Sequence, residues 1–181
     1  MAQTPSAMVS LQTKMPEFLL SDALGNPCDV SVDSKGTLII FMCNHCPFVI
    51  HVATLLETIH TLCQENDIKM IGINSNDIEA YPDDSPEHMI ETATRFNWTF
   101  PYLFDGDQEV AKSFQATCTP DVFLYGAKSK LYYRGQFDDS RPPSGTADGH
   151  DLKLAIEKML SGDTPPVNQK PSIGCNIKWK V

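Results

Sequence analysis

Cys43-Asn44-His45-Cys46 sets two thiols three positions apart, directly after an apolar run and directly before a proline. Such a pair can exchange disulfides, or it can give two ligands to a metal ion that needs further ligands from elsewhere. Exchange gains from the pair's position. The start of a helix carries unpaired N–H groups and the positive end of the helix dipole, and both favour a thiolate, which is the nucleophile. On this reading Cys43 attacks, Cys46 resolves the mixed disulfide, and a protonated His45 favours the Cys43 thiolate. A zinc site would need a second C-x-x-C or C-x-x-H, and none follows at finger spacing. Cys63, three residues after His60, falls on an apolar helical stripe. No metal and no other cofactor is expected.

The elements that must hold this pair can be read locally. Thr37-Leu-Ile-Ile-Phe-Met42 is a continuous apolar run after Ser34-Lys35-Gly36, the pattern of a buried central strand. Pro47 suits a first helical position, and Val49, Val52, Leu56, Ile59 and Cys63 then recur at helical spacing. Ile68–Ile73 predicts the next strand, parallel to the first, and Asn74–Asp84 a polar loop. Further helices are predicted over Pro86–Asn97, capped by Ser85, over Gln108–Phe114, capped by Asp107, and over Leu152–Leu160. Tyr102–Phe104 is a short strand, and Val122–Tyr125 with Leu131–Arg134 flank a hairpin turn. Near the N-terminus, Phe18–Leu20 and Asp29–Val32 around Gly25-Asn26-Pro27 predict a small hairpin. Residues 1–15 read as a loose arm, and residues 165–181 as a tail that docks on the core of a single domain spanning 1–181. The order of elements is that of a mixed α/β fold, with a central mixed sheet, flanking helices, an N-terminal hairpin and an inserted helix.

Bulk properties narrow the partners. Lys plus Arg number 14 against 23 Asp plus Glu, a net charge of −9. That balance argues against nucleic acid or an anionic membrane surface as the main partner. The first residues have neither a basic stretch nor an apolar core of a secretory signal, so a cytoplasmic location is expected, where thiols are mostly reduced. The acidic residues Asp77, Asp83, Asp84, Asp138 and Asp139 do not have calcium-loop spacing and read as solvated loops.

Longer motifs make the reading more specific. They are Phe41-Met-Cys-Asn-His-Cys-Pro-Phe48, Asn74-Ser-Asn-Asp77, Tyr81-Pro-Asp-Asp-Ser-Pro86, Cys118-Thr-Pro-Asp121, Arg134-Gly-Gln-Phe-Asp-Asp-Ser-Arg-Pro142 and Pro171-Ser-Ile-Gly-Cys-Asn-Ile-Lys-Trp179. With these, the chain from about Phe18 onward resembles thioredoxin-like proteins of the branch lying between thioredoxins and peroxiredoxins. The resemblance implies a thioredoxin fold and makes Pro120 a cis-proline facing the cysteine pair. Thr119 would then turn its backbone toward the cysteines, where an extended partner could pair with it by strand addition. Expected partners are protein or small-molecule thiols and disulfides.

The chain departs from both neighbouring families. Met42 stands where thioredoxins carry tryptophan, Asn44-His45 replaces Gly-Pro, and the Thr37–Met42 strand has no buried acid. Cys46-Pro47 matches the peroxidatic position of peroxiredoxins, but Cys43 takes the place of their hydroxyl residue, and neither Arg134 nor Arg141 matches their arginine. A peroxidase with Cys46 as peroxidatic residue is thus the alternative activity, and a non-catalytic metal- or partner-binding module the alternative class. Of the other cysteines, Cys63 is expected in the core and Cys28 is incidental to a hairpin. Cys118 and Cys175 are candidate accessory thiols, with Cys175 more simply explained by docking of the tail.

Overall fold

The computed structural model describes residues 3–30 and 34–181. Its centre is β4 (Gly36–Phe41), buried along its whole length. Because strand side chains alternate, Leu38 and Ile40 enter one apolar cluster and Ile39 and Phe41 the other. The sheet therefore has a core on each face, which is why this run reads as continuously apolar. β5 (Ile68–Asn74) lies parallel to β4, and β6 (Tyr102–Phe104) parallel to β5. On the other side β8 (Asp121–Gly126) runs antiparallel to β4, and β9 (Lys130–Arg134) antiparallel to β8. With the hairpin β2 (Leu20–Asp22) and β3 (Pro27–Cys28), the sheet has seven strands in the order β3-β2-β6-β5-β4-β8-β9.

Helices cover both faces. α1 (Pro47–Glu65) buries Val49, Val52, Leu56, Ile59 and Cys63. These are the residues of its predicted stripe. α2 (Pro86–Phe96) and α4 (His150–Leu160) send Met89, Leu152 and Ile156 into the same cluster. The inserted α3 (Glu109–Phe114) covers the opposite face, where Phe114 packs edge-on against Phe41 and Phe123. Two predicted caps differ. Ser85 makes no capping bond; its hydroxyl pairs with His88 Nδ1 at 3.1 Å. Gln108, not Asp107, is the residue that precedes α3. Among the described residues no helix is long and apolar enough to cross a membrane.

The N-terminal segment departs most from expectation. β1 (Gln3–Pro5) pairs antiparallel with β10 (Ile173–Asn176), so this stretch is not a loose arm. Gln12 and Met15 donate backbone hydrogen bonds to Leu131 and Ser129, which holds the rest of the segment against the β8–β9 hairpin. The predicted hairpin is also shifted. Asp22 Oδ1 accepts the N–H groups of Leu24 and Asn26, and this side-chain-stabilised turn closes before Pro27. The second strand is thus Pro27–Cys28 rather than Asp29–Val32, of which residues 31 and 32 lie outside the described residues. β10 also pairs with β7 (Cys118–Thr119), making a second, three-stranded sheet in the order β1-β10-β7.

Candidate active site

β4 ends at Phe41, Met42 N–H is held by the Ile73 carbonyl at 2.8 Å, and the chain then turns through Cys43, Asn44 and His45 into α1. Pro47 is the first helical residue, so the N-cap is Cys46, whose carbonyl accepts the Ile50 N–H at 2.9 Å. The sequence reading gave the helix terminus to Cys43. The structure gives it to Cys46, because the turn through Asn44 and His45 sets Cys43 outside the helix.

Opposite the pair stands Thr119. The Thr119–Pro120 peptide bond is cis. Cys43 Sγ lies 3.5 Å from Thr119 Oγ1, and Cys46 Sγ lies 3.1 Å from the Thr119 carbonyl oxygen. The two cysteines thus meet one residue of the proline-bearing segment. Both are buried, at 1% and 0% exposure, and neither is in a disulfide. Accessibility does not separate the two sulfurs.

The two sulfurs have different electrostatic surroundings. Cys46 is pulled down to about 5, first by the hydrogen bond from the Cys43 thiol, against the opposing effect of burial. The side chains of Thr119 and Cys175 add to the lowering, while the Cys46 thiol itself donates to the Thr119 carbonyl. No side chain caps α1 by hydrogen bonding, but the Val49 N–H of the first turn adds its dipole. Cys43 is pushed well above the ordinary thiol range, first because it donates to Cys46, then by burial and by the charge of Asp84. Of the two thiols, Cys46 is the one shifted toward the thiolate and Cys43 the one shifted toward the protonated form.

Asp84 is a residue the sequence reading missed. It was assigned to a solvated loop, yet it is fully buried behind the Cys43–Cys46 turn. Its Oδ1 accepts the Asn44 N–H at 2.8 Å, its Oδ2 accepts Asn76 Nδ2 at 2.7 Å, and its carbonyl accepts Asn74 Nδ2 at 2.7 Å. His45 Nδ1 approaches Asp84 Oδ2 to 2.8 Å without hydrogen-bond geometry, so the contact is electrostatic. His45 thus faces an acid, and a nitrogen of its ring also lies within 4.8 Å of the Cys43 sulfur. Its ring also lies parallel to Tyr81, with centroids 6.1 Å apart. Asn44 is held at its other end by Tyr102, which donates to Asn44 Oδ1 at 3.0 Å. The signal available in the sequence was the density of Asn and Asp in 74–84, a polar network that needs the fold to close it.

Other residues divide plainly. Cys175 lies directly across from Thr119 in the β10–β7 pair, in the same apolar cluster as Cys43 and Cys46. Cys118 is the neighbour of Thr119 on a strand, so its side chain leaves on the opposite face; its Sγ lies 3.6 Å from the Pro120 carbonyl, and burial pushes the thiol far up. Cys63 is core, pushed up by burial to about 12. Asp121 is a second buried acid, in β8 opposite Phe41 of β4. Burial raises it to about 7, although Oδ2 accepts the Thr117 N–H at 3.0 Å. Asp138, also assigned to a solvated loop, is buried and accepts the N–H groups of Ser140, Asp148 and Gly149.

Two alternatives can be weighed on this geometry. Cys43, His45 and Asp84 place ligand-type atoms within 4.8 Å of one another. Both Asp84 oxygens already accept N–H donors, and the Cys43 thiol holds its proton, so the group is poorly prepared for a cation. For the peroxidase alternative, the guanidinium of Arg134 bonds Gln169 and Met8, and that of Arg141 bonds Gln136, Asp138 and Ser140. Both guanidinium groups are thus already engaged, and Arg141 lines a small cavity together with Phe48 and Pro120.

A strand–Cys-x-x-Cys–helix unit facing a cis-proline, in a central mixed sheet with helices on both faces, defines a thioredoxin-like protein of the branch between thioredoxins and peroxiredoxins. Residues 11–149 match the Redoxin family, and the chain belongs to that family. A search of curated proteins gave no match. Two crystal structures are similar over nearly the whole chain. An uncharacterized conserved protein from Geobacillus kaustophilus is 43% identical, with 99% of this chain and 97% of that one covered and a TM-score of 0.95. A hypothetical protein from Sinorhizobium meliloti is 39% identical, with 98% and 99% covered and the same TM-score of 0.95. A secreted Mycobacterium tuberculosis disulfide oxidoreductase shares the fold at 18% identity, with 77% and 94% covered and a TM-score of 0.61.

Proposed function

We propose that the protein is a thiol–disulfide oxidoreductase working through the Cys43/Cys46 dithiol. The observation that carries this is the convergence of both sulfurs on Thr119, Cys43 against its hydroxyl and Cys46 against its carbonyl, with the Cys46 thiol lowered and the Cys43 thiol raised. The Cys46 thiolate attacks a substrate disulfide, forming a mixed disulfide and expelling one substrate thiolate. Cys43 then gives up its proton and attacks Cys46, the mixed disulfide breaks, and the second substrate thiol leaves. The protein ends with a Cys43–Cys46 disulfide, and the reverse sequence oxidises a dithiol. Expected substrates are protein or small-molecule disulfides and thiols. The order of attack is the reverse of the one the sequence alone suggests.

One observation favours a second reading. Cys46 has the N-cap place, the following Pro47 and the lowered pKa of a peroxidatic cysteine. Its thiolate would attack a peroxide oxygen, releasing the alcohol or water and leaving a sulfenic acid. Cys43 would condense with that group to a disulfide, losing water. Disulfide reduction and peroxide consumption, measured side by side with metal content on wild type, Cys43→Ser and Cys46→Ser, test both. Reduction lost in Cys46→Ser and lowered in Cys43→Ser supports exchange. A single turnover of peroxide kept in Cys43→Ser and lost in Cys46→Ser supports the peroxidase. Activity unchanged in Cys46→Ser contradicts both.

A further inference from the structure

Thr119 has an edge on which a substrate strand could pair, and that edge is occupied by the chain's own C-terminal segment. In the β10–β7 pair, Cys175 stands opposite Thr119 and Asn176 opposite Cys118. Directly opposed residues of an antiparallel pair put their side chains on the same face, about 5 Å apart at Cβ. The Thr119 hydroxyl touches Cys43 Sγ, so that face is the one toward the redox pair. Cys175 must share it, and it belongs to the same buried cluster as Cys43 and Cys46, at 2% exposure. The backbone fit is close: a Cβ on Gly174 would come to 2.0 Å from the Thr119 carbonyl oxygen. Only glycine lets β10 lie this near, and the approach brings the next residue, Cys175, to the sulfurs.

We propose that Cys175 is a third redox thiol of this centre, which takes over the disulfide from Cys43, and that its strand fills the substrate-pairing edge while it does so. The step rests on the reading of Cys43 and Cys46 as an exchanging pair. Once a substrate disulfide or a peroxide has oxidised that pair, the Cys175 sulfur attacks Cys46 Sγ. The Cys46–Cys175 bond forms and the Cys43–Cys46 bond breaks. The electron pair leaves on Cys43, which takes the proton that Cys175 gave up. No net oxidation or reduction occurs in the transfer. The product pins β10 to the active site and closes the edge covalently. Reduction returns the strand to its backbone pairing alone, which an incoming extended chain of the substrate can replace.

The test is disulfide mapping by mass spectrometry after oxidation with oxidised glutathione, acid quenching and alkylation. It uses wild type, Cys43→Ser, Cys175→Ser and Gly174→Ala. Wild type should contain both Cys43–Cys46 and Cys46–Cys175 linkages. Cys43→Ser should convert to the Cys46–Cys175 disulfide with glutathione released. Cys175→Ser should hold the Cys43–Cys46 linkage alone. Gly174→Ala, which keeps every cysteine, should keep Cys43–Cys46 and lose Cys46–Cys175 by about tenfold, because a disulfide forms only within a narrow geometry. The proposal is overturned if oxidised wild type has no Cys46–Cys175 linkage, or if folded Cys43→Ser stays as a Cys46–glutathione mixed disulfide with Cys175 alkylated. Should Cys43→Ser not fold, an equal Cys46–Cys175 share in wild type and Gly174→Ala also overturns the role of the strand. Absence of a Cys43–Cys46 linkage from both wild type and Cys175→Ser contradicts the underlying exchange reading instead, and the same maps show it separately.

Discussion

The two sides of the Cys-x-x-C turn are built from opposite materials. On the Cys43 side stand a buried carboxylate, Asp84, and the amides and hydroxyls that hold it: Asn74, Asn76, Asn44 and Tyr102. On the Cys46 side stand a helix terminus and another thiol, and Thr119 touches both sulfurs. One side repels negative charge and the other attracts it, so two chemically identical groups three residues apart part ways. The lesson is that position in the sequence motif does not assign the nucleophile; the local donors do.

The largest effect that can break this comparison is on turnover. Cys46→Ser should abolish disulfide reduction, a loss of roughly a thousandfold or more. Cys43→Ser/Cys175→Ser, which lacks both partner thiols, should block completion of the cycle yet still form a mixed disulfide at Cys46, visible as one added glutathione by mass spectrometry. If that variant fails to trap glutathione and Cys46→Ser traps it, the roles are reversed.

Next comes the acid that sets the Cys43 side. Asp84→Ala strips acceptors from the Asn44 and Asn76 donors and should cost about 2–6 kcal/mol, at about 1–3 kcal/mol for each buried donor left unpaired. Chemical denaturation of the reduced protein measures this. The same change removes a buried negative charge near Cys43, so the Cys43 pKa should fall. A stability within experimental error of wild type would show that Asp84 is not the anchor of the turn.

A smaller effect should come from Asp121, on the strand beside the pair. Its acid is raised to about 7 in the folded protein from the ordinary 3.8. A raised acid favours folding fully below the unfolded value and loses that contribution as pH rises through the folded value. Wild-type stability should therefore carry a falling component between about pH 4 and pH 7. Asp121→Asn should remove it, changing the difference between the two proteins by at least about 1 kcal/mol across that window. Parallel curves for wild type and variant from denaturation at stepped pH would contradict the assignment.

What could be read from the sequence follows the range of the interactions involved. β4, α1, β5 and the β8–β9 hairpin announce themselves by local periodicity and turn residues, and they carry Cys43 and Cys46 to one place. Pro47 also contained the clue to the N-cap. A proline at the first helical position makes Cys46 the N-cap, although the motif draws attention to its first cysteine. The Asp84 network escaped because Asn44, Asn76 and Asp84 gain meaning only when the fold closes over them. β1 escaped for a similar reason: Gln3-Thr4-Pro5 has no pattern of its own and becomes a strand by pairing with a segment about 170 residues away. Cys175 was visible as a residue, but its position opposite Thr119 is a register, and register between distant segments is not written in either one alone.

The central claim is that the thiolate of the reduced protein belongs to Cys46. Thiolate absorbance near 240 nm, followed against pH, tests it without requiring a reagent to reach a buried sulfur. Reduced wild type should show a transition near pH 5, far below the roughly 8.5 of a free cysteine. Cys43→Ser should keep a low transition, since a serine hydroxyl can still donate to Cys46, and Cys46→Ser should lose it. A low transition that survives in Cys46→Ser and vanishes in Cys43→Ser would contradict the account.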